Sequence, residues 1–396
     1  MKLAYLANIR LPTEKAHGLQ IVQMCEAFAQ TQHADRLIRV TLYAARRANT
    51  PELRTVKDVW NFYGVERAFA IQRVPCVDLY GLSRGHFERF AFAIQTLTYL
   101  IALCVIVLIN RADIYYSRDP LTLLVLSLFK PRAALCYEAH QLTNSRWQTL
   151  CLRRVGTVVA VTAHLADRVR GRGAAHVIVA HDGIRAARFA DMPDQAAARH
   201  MLDLPAAAFI VGYVGRLHTL GMSKGVDTLI DAIAQVAAQG APDSLTLCIV
   251  GGPDDWAARL RQQWIDRGLD ARHFIYVQSV VADRVPLYLS AFDVATMPLP
   301  WTEHFAYYAS SMKLFEYMAA GRALLATDLP STLEVVQNEH SALLTPPSDP
   351  IAMAEALRRL KADPLLRARL AAQAQADVAD YTWARRAMRI IEAIAE

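Results

Sequence analysis

Short apolar runs alternate with stretches of helical periodicity along the whole 396-residue chain. This alternation is typical of βα units built around parallel sheets. In the first half, strands are predicted at LAYLAN, RVTLYA, DIYYS, ALCYE, TVVAVT and HVIVA (3–8, 39–44, 113–117, 134–138, 157–162 and 176–180). In the second half, they are predicted at FIVGYVG, LTLCIVG, HFIYVQ, VATMPL, ALLAT and SALLT (209–215, 245–251, 273–278, 294–299, 323–327 and 341–345). The pattern therefore predicts an α/β protein with two successive doubly wound, Rossmann-like αβα domains.

The two series are separated by RAARFADMPDQAAARHMLDLPAAA, residues 185–208, which is polar, rich in alanine and has a proline near its end. We interpret this stretch as the connection between domains. It predicts a first domain over residues 1–190 and a second over residues 191–380. Two domains also suit the chain length, because single cores rarely grow beyond about 250–300 residues.

The composition, 54% hydrophobic and 20% charged, is that of a globular protein. Six scattered cysteines form no CxxC pair or His/Cys cluster, so neither a disulfide framework nor a zinc site is predicted, and a reducing cytoplasm is favoured. The apolar run at the start is too short for a signal peptide and predicts a buried strand. The net charge of +6 suits anionic lipid, nucleic acid or a phosphorylated substrate. Nucleic acid is disfavoured, since no basic run interleaved with aromatics occurs.

The segment FAFAIQTLTYLIALCVIVLIN, residues 90–110, has no charged residue. It is long enough to cross a bilayer. Polar residues in its first half, and a strand pattern that follows at once, favour a helix that is buried or lies on a membrane surface. A membrane span remains the alternative.

Basic residues follow the first predicted strand of the second domain. The strand ends at Gly215 and Arg216, and Lys224 with Gly225 opens the next helix. Ligands bind beyond the carboxyl ends of parallel strands, and glycine, bases and a helix N-terminus together favour an anion such as a diphosphate. Two solvated bases in an ordinary loop are the alternative. Neither GxxxxGK[ST] nor GxGxxG occurs.

The first domain has weaker candidates. Gly18 lies at a predicted helix start, where backbone N–H groups can meet a sugar or phosphate. Glu138 and His140 in CYEAH are expected to face a ligand at the end of a strand, although a single histidine is more often structural. In YSRDP, Asp119 predicts a helix N-cap with Pro120 at the first helical position.

The segment MKLFEYMAAG, residues 312–321, holds one base and one acid in an apolar helix. Lys313 and Glu316 are three residues apart and share a helix face. Taken alone, the pair predicts a solvated salt bridge.

The whole set of motifs resembles family 4 glycosyltransferases, which are retaining enzymes of the GT-B fold with two domains facing a cleft. The resemblance covers nearly the whole chain and is most specific over residues 311–336. The matching stretches are GR…KG, LFEYMAAGRALLATDLPSTLEVV, PTEKAHGLQIVQMCEAFA, CYEAH, VAHDGI, DVATMPL and YTWARRAMRIIEAIAE. It implies a cytoplasmic, metal-independent hexosyltransferase that uses a nucleotide-sugar, UDP before GDP, and no cofactor. The acceptor would be a glycan, a lipid-linked molecule or a small molecule. Separately from the resemblance, the apolar segment 90–110 beside its flanking arginines predicts peripheral contact of the N-terminal domain with the inner face of the cell membrane. The final helix, 381–396, would pack back on that domain.

The resemblance also implies roles for individual residues. Arg216 and Lys224 would grip the donor diphosphate and stabilise the leaving nucleotide, while His140 would lie near the transferred sugar. Glu316 would hydrogen-bond the ribose. The donor-binding set that it implies is Gly18, Gly215, Tyr308, Ser311, Lys313, Leu314 and Glu316, with residues 311–314 acting through backbone N–H groups.

One departure from the family pattern concerns Tyr308. The motif expects an acid eight residues before Glu316, and this chain has tyrosine there, with Glu303 nearby but out of register. Two alternatives to a transferase therefore remain: a nucleotide-binding protein without activity, and a sugar-nucleotide epimerase of the same fold.

Overall fold

The chain forms two compact units in a computed structural model that describes residues 1–13, 15–48, 51–79, 87–219, 221–238 and 245–395. The first unit comprises residues 1–182 together with the C-terminal segment from Trp383, and the second comprises Gly183–Thr382. Each unit has its own parallel sheet with helices on it.

The first unit contains a seven-stranded sheet in the order β5-β4-β1-β6-β7-β8-β9, with every neighbouring pair parallel. The order reverses beside β1, and in doubly wound sheets such a switch point marks the ligand side. The strands are β1 (Lys2–Ala7), β4 (Arg39–Ala45), β5 (Ala70–Val74), β6 (Ile114–Ser117), β7 (Leu135–Ala139), β8 (Thr157–Ala160) and β9 (His176–Val179), with a small hairpin of β2 (Gln32–His33) and β3 (Arg36–Leu37).

Six of these seven sheet strands coincide with predicted runs, and β5 was missed. Its sequence AIQRV is largely half-exposed because it is the edge strand, so it lacks the continuous apolar run of a central strand. By contrast, Leu3–Ala7 in β1 are all buried, as expected of a strand covered on both faces.

The helices of the first unit follow the strands in alternation. Asp119 caps α5 by accepting a hydrogen bond from the Leu121 amide, and Pro120 begins the helix, which confirms the prediction for YSRDP. The helices are α1 (Ala16–Gln30), α2 (Pro51–Arg54), α3 (Val59–Tyr63), α4 (Phe87–Ile109), α5 (Pro120–Leu126), α6 (Arg146–Arg154) and α7 (Ala163–Gly171), with a 3-10 turn at Arg132–Ala134.

Helix α4 contains the long uncharged segment. By length and composition it could cross a membrane, and 28% of its most apolar window is buried in the protein. Tyr99, Leu103 and Val107 are fully buried at four-residue spacing, so one stripe of the helix belongs to the core of the unit. The predicted helix is therefore confirmed, and part of it is buried.

The second unit contains a six-stranded parallel sheet in the order β14-β13-β10-β15-β16-β17. All six strands were predicted. They are β10 (Phe209–Val214), β13 (Leu245–Val250), β14 (Phe274–Val277), β15 (Val294–Met297), β16 (Ala323–Thr327) and β17 (Leu343–Thr345); β11 (His218–Thr219) and β12 (Met222–Ser223) form a separate hairpin.

Helices cover both faces of this sheet, over two apolar clusters centred on residues such as Phe292 and Phe315 on one face and Leu247 and Trp264 on the other. The helices are α8 (Gln195–Met201), α9 (Val226–Ala238), α10 (Asp254–Asp266), α11 (Val285–Ala291), α12 (Met312–Ala319), α13 (Pro330–Leu333), α14 (Pro350–Ala362) and α15 (Pro364–Asp377). Short 3-10 turns lie at Ala186–Phe189, Ala271–His273, Ala282–Arg284 and Val378–Asp380, and a π-helical turn lies at His304–Tyr308.

The stretch that we interpreted as a connection between domains is a structured part of the second unit. It contains α8, and the guanidinium of Arg199 on this helix lies 2.7 Å from the carboxylate of Asp293. Its alanine-rich polarity reflects a short surface helix rather than an open linker.

The last helix, α16 (Trp383–Ala395), belongs to the first unit, where it packs against α1. The guanidinium of Arg386 on this helix is buried and donates a hydrogen bond to the Ala180 carbonyl, at 3.2 Å. The first unit is thus completed by a helix from the far end of the chain.

Candidate functional site

In the second unit, the candidate site begins where β10 ends. Gly215 has a φ of +129°, a conformation suited to glycine, and its amide donates to the Val250 carbonyl at 2.7 Å. A Cβ atom at this position would lie 2.8 Å from Cδ of Lys313, so glycine makes room for that side chain. The Tyr213 hydroxyl donates to the carbonyl of Arg216 at 2.6 Å and fixes the start of the loop.

Lys224 closes the same loop just before α9. Burial, and then the charge of Arg216, lowers the pKa of Lys224 to about 8. The next residue, Gly225, has a φ of +78°, and a Cβ there would lie only 1.6 Å from the Pro298 carbonyl oxygen. The positive charges of the two predicted bases therefore repel each other. The loop that carries Lys224 packs closely against the end of β15.

Lys313 on α12 is a third base in this group. Its Nζ donates to the Tyr213 hydroxyl at 2.7 Å and lies 4.2 Å from the centroid of the same ring. Burial and the charge of Lys224 lower the pKa of Lys313 well below its ordinary value, against the opposite effect of Glu316. Neighbouring positive charges that lower one another's pKa are stabilised when an anion binds between them.

Glu316 lies one turn further along α12. Burial raises the pKa of Glu316 to about 7, against the charges of Arg188 and Lys313. Among the described residues Lys313 forms no salt bridge with Glu316 and donates to Tyr213 instead, so the solvated pair that the sequence alone predicted does not form. A half-buried carboxyl that titrates near neutrality can accept or donate hydrogen bonds to ligand hydroxyls.

The N-terminus of α12 lies beside these bases. Ser311 occupies the N-cap position without a side-chain capping bond, and the first turn holds no acid. Both features leave the positive end of the helix favourable to an anion. The side chain of Leu314 belongs to the core, and its amide already donates to the Ser311 carbonyl at 2.9 Å. The backbone contact predicted for Leu314 is therefore occupied within the turn.

Tyr308, which replaces the acid expected by the motif, meets a carboxylate in the fold. Its side chain is buried, and its hydroxyl donates to Oε1 of Glu303 at 2.9 Å. The five-residue π-helical turn at His304–Tyr308 brings the two together, which the four-residue spacing of an α-helix would not. The fold therefore places a carboxylate beside Tyr308, but this carboxylate comes from position 303 and not from position 308, where the motif expects it.

The first unit has its own polar cluster, centred on Glu138 at the end of β7. The prediction that Glu138 faces a ligand is wrong, because this side chain is fully buried. Burial alone would raise the pKa of Glu138, but Arg386, His140 and Arg118 hold it well below its ordinary value. Its oxygens contact Gln20 Nε2 (2.5 Å), His140 Nε2 (2.6 Å), Arg386 Nη2 (3.0 Å), Tyr116 Oη (2.6 Å) and Tyr5 Oη (3.4 Å).

His140 is the member of this cluster that reaches the surface, with 22% of its side chain exposed. Burial and the charge of Arg118 lower the pKa of His140, against the opposing effect of Glu138. A neutral ring that donates Nε2–H to Glu138 leaves Nδ1 as an acceptor for a ligand hydroxyl. Glu138 thus orients His140.

Gly18 lies within α1, and its lack of a side chain has a packing reason. A Cβ there would lie 2.4 Å from Cγ2 of Thr13 and 2.6 Å from the Tyr63 hydroxyl. That hydroxyl donates to the Thr13 carbonyl at 2.8 Å and accepts from the Thr13 amide at 2.7 Å. The absence of a side chain at Gly18 therefore leaves room for the two hydrogen bonds between Tyr63 and Thr13.

A cavity of about 350 Å³ opens in the first unit at the ends of β1 and β6. Polar groups of His17, Arg118 and Asn8 line it together with Phe92 and Thr96 of α4. Because it lies beyond strand ends at the switch point, it is where a doubly wound sheet binds ligands.

Sequence reasoning missed Arg386, Gln20 and Asp182 as members of the polar cluster. Arg386 falls at the spacing of the buried stripe of α16, between Trp383 and Ile390, and that position was the available signal. A charged residue on a buried stripe predicts a buried partner. Its partner Glu138 lies 248 residues earlier, so the sequence alone could not identify it.

Solved structures identify the fold. Anabaena HepE in complex with UDP aligns over 100% of both chains with a TM-score of 0.72 and 19% sequence identity. Sucrose-phosphate synthase from Thermosynechococcus elongatus aligns over 99% of this chain and 97% of its own, with a TM-score of 0.75 and 19% identity. The fold is GT-B, with two parallel-sheet αβα units, which confirms the predicted fold class.

Sequence comparison gives a more particular match. Residues 208–363 match the family model described as Glycosyl transferases group 1. A D-inositol 3-phosphate glycosyltransferase of Salinispora tropica is 28% identical over 232 residues, which are 56% of this chain and 46% of that protein. The chain spans about half the length of the curated relatives it matches. The matched family region contains all the candidate bases of the second unit.

Proposed function

We propose that this protein is a retaining glycosyltransferase that moves a hexose from a nucleotide-sugar to an acceptor hydroxyl without a metal. One observation carries the proposal: Arg216, Lys224 and Lys313 act on one another at the end of β10, and burial and mutual charge depress the pKa of both lysines. A diphosphate supplies the negative charge that this group lacks. The match of residues 208–363 to group 1 glycosyl transferases supports the same assignment.

The donor is a UDP-sugar in this proposal, with GDP-sugars second. The support comes from Anabaena HepE, which shares the fold and was solved with UDP and with UDP-glucose. In the second unit, Glu316 would bind the ribose hydroxyls, and the amides at the start of α12 would face the diphosphate. His140 of the first unit is assigned to the transferred sugar as a neutral hydrogen-bond acceptor.

The bases would act when the glycosyl–phosphate bond breaks. Negative charge then develops on the diphosphate while the sugar becomes oxocarbenium-like, and fixed positive groups stabilise that charge without reorganising. We assign no nucleophilic residue. The acceptor hydroxyl attacks from the face that the nucleotide leaves, the leaving phosphate takes the hydroxyl proton, and the anomeric configuration is retained.

The proposal is tested by removing the bases. We expect Arg216→Ala and Lys224→Ala each to weaken UDP binding at least about tenfold, since a charge-assisted hydrogen bond is worth about 1.5–3 kcal/mol. Titration calorimetry with UDP measures the effect. Arg259→Ala, which removes an exposed arginine of the same unit, is the matched control and should bind as the wild type does. Unchanged affinity in both variants would show that the donor site is elsewhere.

Turnover separates transfer from its two alternatives. Wild-type protein is incubated with UDP-glucose, with and without a panel of acceptors, and the sugar products are analysed. Transfer to an acceptor supports the proposal. An epimerised UDP-sugar in the absence of acceptor would identify an epimerase, and UDP binding without any product would identify a binding protein.

A further inference from the structure

Helix α4 is apolar on two opposite faces. One face carries Tyr99, Leu103 and Val107, which are fully buried in the first unit. The other carries Leu97, Ile101, Val105 and Leu108, whose side chains are between 53% and 59% exposed. An amphipathic helix of a water-surrounded domain would be polar on this second face. Some other apolar environment is therefore expected to cover it.

The exposed apolar surface is long and continues beyond α4. From Phe90 to Leu108 it follows the helix for about 27 Å at 1.5 Å per residue. Helix α5 packs against both α4 and α6. Leu128, which follows α5, and Trp147 on α6 are 71% and 59% exposed. Contiguous apolar surface of this extent marks a membrane or protein interaction site.

Exposed arginines lie on the elements that carry this surface. Arg89 and Arg111 lie at the two ends of α4 and are exposed. Three further exposed arginines, Arg146, Arg153 and Arg154, lie on α6, and residues 140–175 contain six arginines against the single acid Asp167. These arginines are complementary to anionic headgroups, which attract basic residues close to a bilayer surface.

We propose that the α4 face, meaning the exposed side chains of α4 with Leu128 and Trp147, docks on the surface of an anionic lipid bilayer. The helix lies in the plane of the interface with its exposed stripe among the acyl chains and the arginines at the headgroups. A membrane span is incompatible with the buried stripe of Tyr99, Leu103 and Val107, which the sheet of the first unit requires. A lipid surface is favoured over a protein partner because the flanking charges are almost all of one sign: residues 140–175 hold six arginines and one acid, which complements anionic headgroups.

The experiment is flotation of the purified full chain with phosphatidylcholine vesicles, with and without phosphatidylglycerol. We expect the wild type to float with the anionic vesicles, to be released by alkaline carbonate, and to bind less as salt is raised. Ile101→Gln with Val105→Gln is expected to reduce the vesicle-bound fraction at least tenfold. Both side chains face outward, so the thermal unfolding curve should not change.

Two further variants sharpen the test. Ile351→Gln with Leu365→Gln removes two apolar side chains of the second unit that are even more exposed, and this variant should bind as the wild type does. Arg153→Glu with Arg154→Glu should abolish the dependence on anionic lipid even if the apolar variant proves unstable. The proposal is overturned if the wild type stays in the soluble fraction, if the α4 variant floats as well as the control, or if carbonate fails to release the protein. It is also overturned if sedimentation shows a dimer that the α4 variant dissociates, because a second copy would then cover the face.

Discussion

Glu316 shows how a half-buried carboxyl differs from the surface residue that its sequence suggests. In the segment MKLFEYMAAG it looks like half of a helical ion pair, yet burial raises its pKa to about 7. In the fold its ordinary partner, Lys313, is directed to the Tyr213 hydroxyl. The carboxyl of Glu316 is therefore available to a ligand. Because its pKa is raised, the free energy of unfolding depends on pH through this group.

The raised pKa of Glu316 predicts a pH-dependent stability difference. A carboxyl whose pKa is raised on folding, from 4.5 to about 7, stabilises the fold fully below pH 4.5, and this contribution is lost as pH rises through 7. Glu316→Gln removes the titration. The free energy of unfolding of the variant should therefore rise by about 1–3 kcal/mol relative to that of the wild type as the pH is raised from about 4.5 to about 7. Above about pH 7 the difference should stay constant. Urea unfolding of both proteins at several pH values measures this, and a constant difference would contradict the assigned pKa.

At the scale of elements, two glycines of the second unit separate two reasons for glycine: a steric clash with a neighbouring atom and a left-handed backbone conformation. Gly225 and Gly268 have nearly equal φ angles of +78° and +74°. A Cβ at Gly225 would collide with the Pro298 carbonyl, whereas nothing lies within 4 Å of a Cβ at Gly268.

Alanine at these two glycines should have unequal costs. Gly268→Ala should lower the free energy of unfolding by about 1–2 kcal/mol, the cost of a left-handed alanine. Gly225→Ala should lower it by about 2–5 kcal/mol, because overpacking adds to the same conformational cost. Denaturant unfolding compares the two, and equal losses would show that the loop before α9 relaxes without strain.

The elements also show what sequence pattern can predict. Central strands such as β1 and β13 were predicted because both faces are buried and the apolar run is continuous. The edge strand β5 was missed because it is half-exposed, and the segment around α8 was taken for a linker because a short polar helix resembles one. The contact between Tyr308 and Glu303 could not be predicted, since it depends on a π-helical turn.

At the scale of the whole molecule, some candidate site residues could be predicted from the sequence and others could not. Arg216 and Lys224 were predicted because strand ends and helix starts are visible in the pattern, whereas Lys313 was predicted only from the family resemblance; the charges of Arg216 and Lys313 each act on or with that of Lys224 in the fold. The Glu138 cluster was not resolved, because its ion pair joins residues 248 positions apart. Periodicity carries no information about such a pairing.

The Arg386–Glu138 pair gives a prediction about the stability of the first unit. Arg386→Leu leaves a fully buried carboxylate without its main counter-charge and should lower the free energy of unfolding by about 3–5 kcal/mol. Arg36→Leu, at an exposed position of the same unit, should change it by less than about 0.5 kcal/mol. Adding Glu138→Leu to Arg386→Leu should restore part of the loss, because the unpaired charge is then gone. No recovery in the double variant would show that Arg386 acts through packing alone.

The place of α16 in the first unit also sets an order of events during synthesis. Every residue of the second unit precedes Trp383, so its sheet can close while the first unit still lacks its last helix. Until α16 leaves the ribosome, Glu138 lacks Arg386 and the side of α1 that α16 covers stays open. The unit that is translated first therefore waits for α16, and a chain truncated after Thr382 would hold every residue of the second unit beside a first unit without this helix.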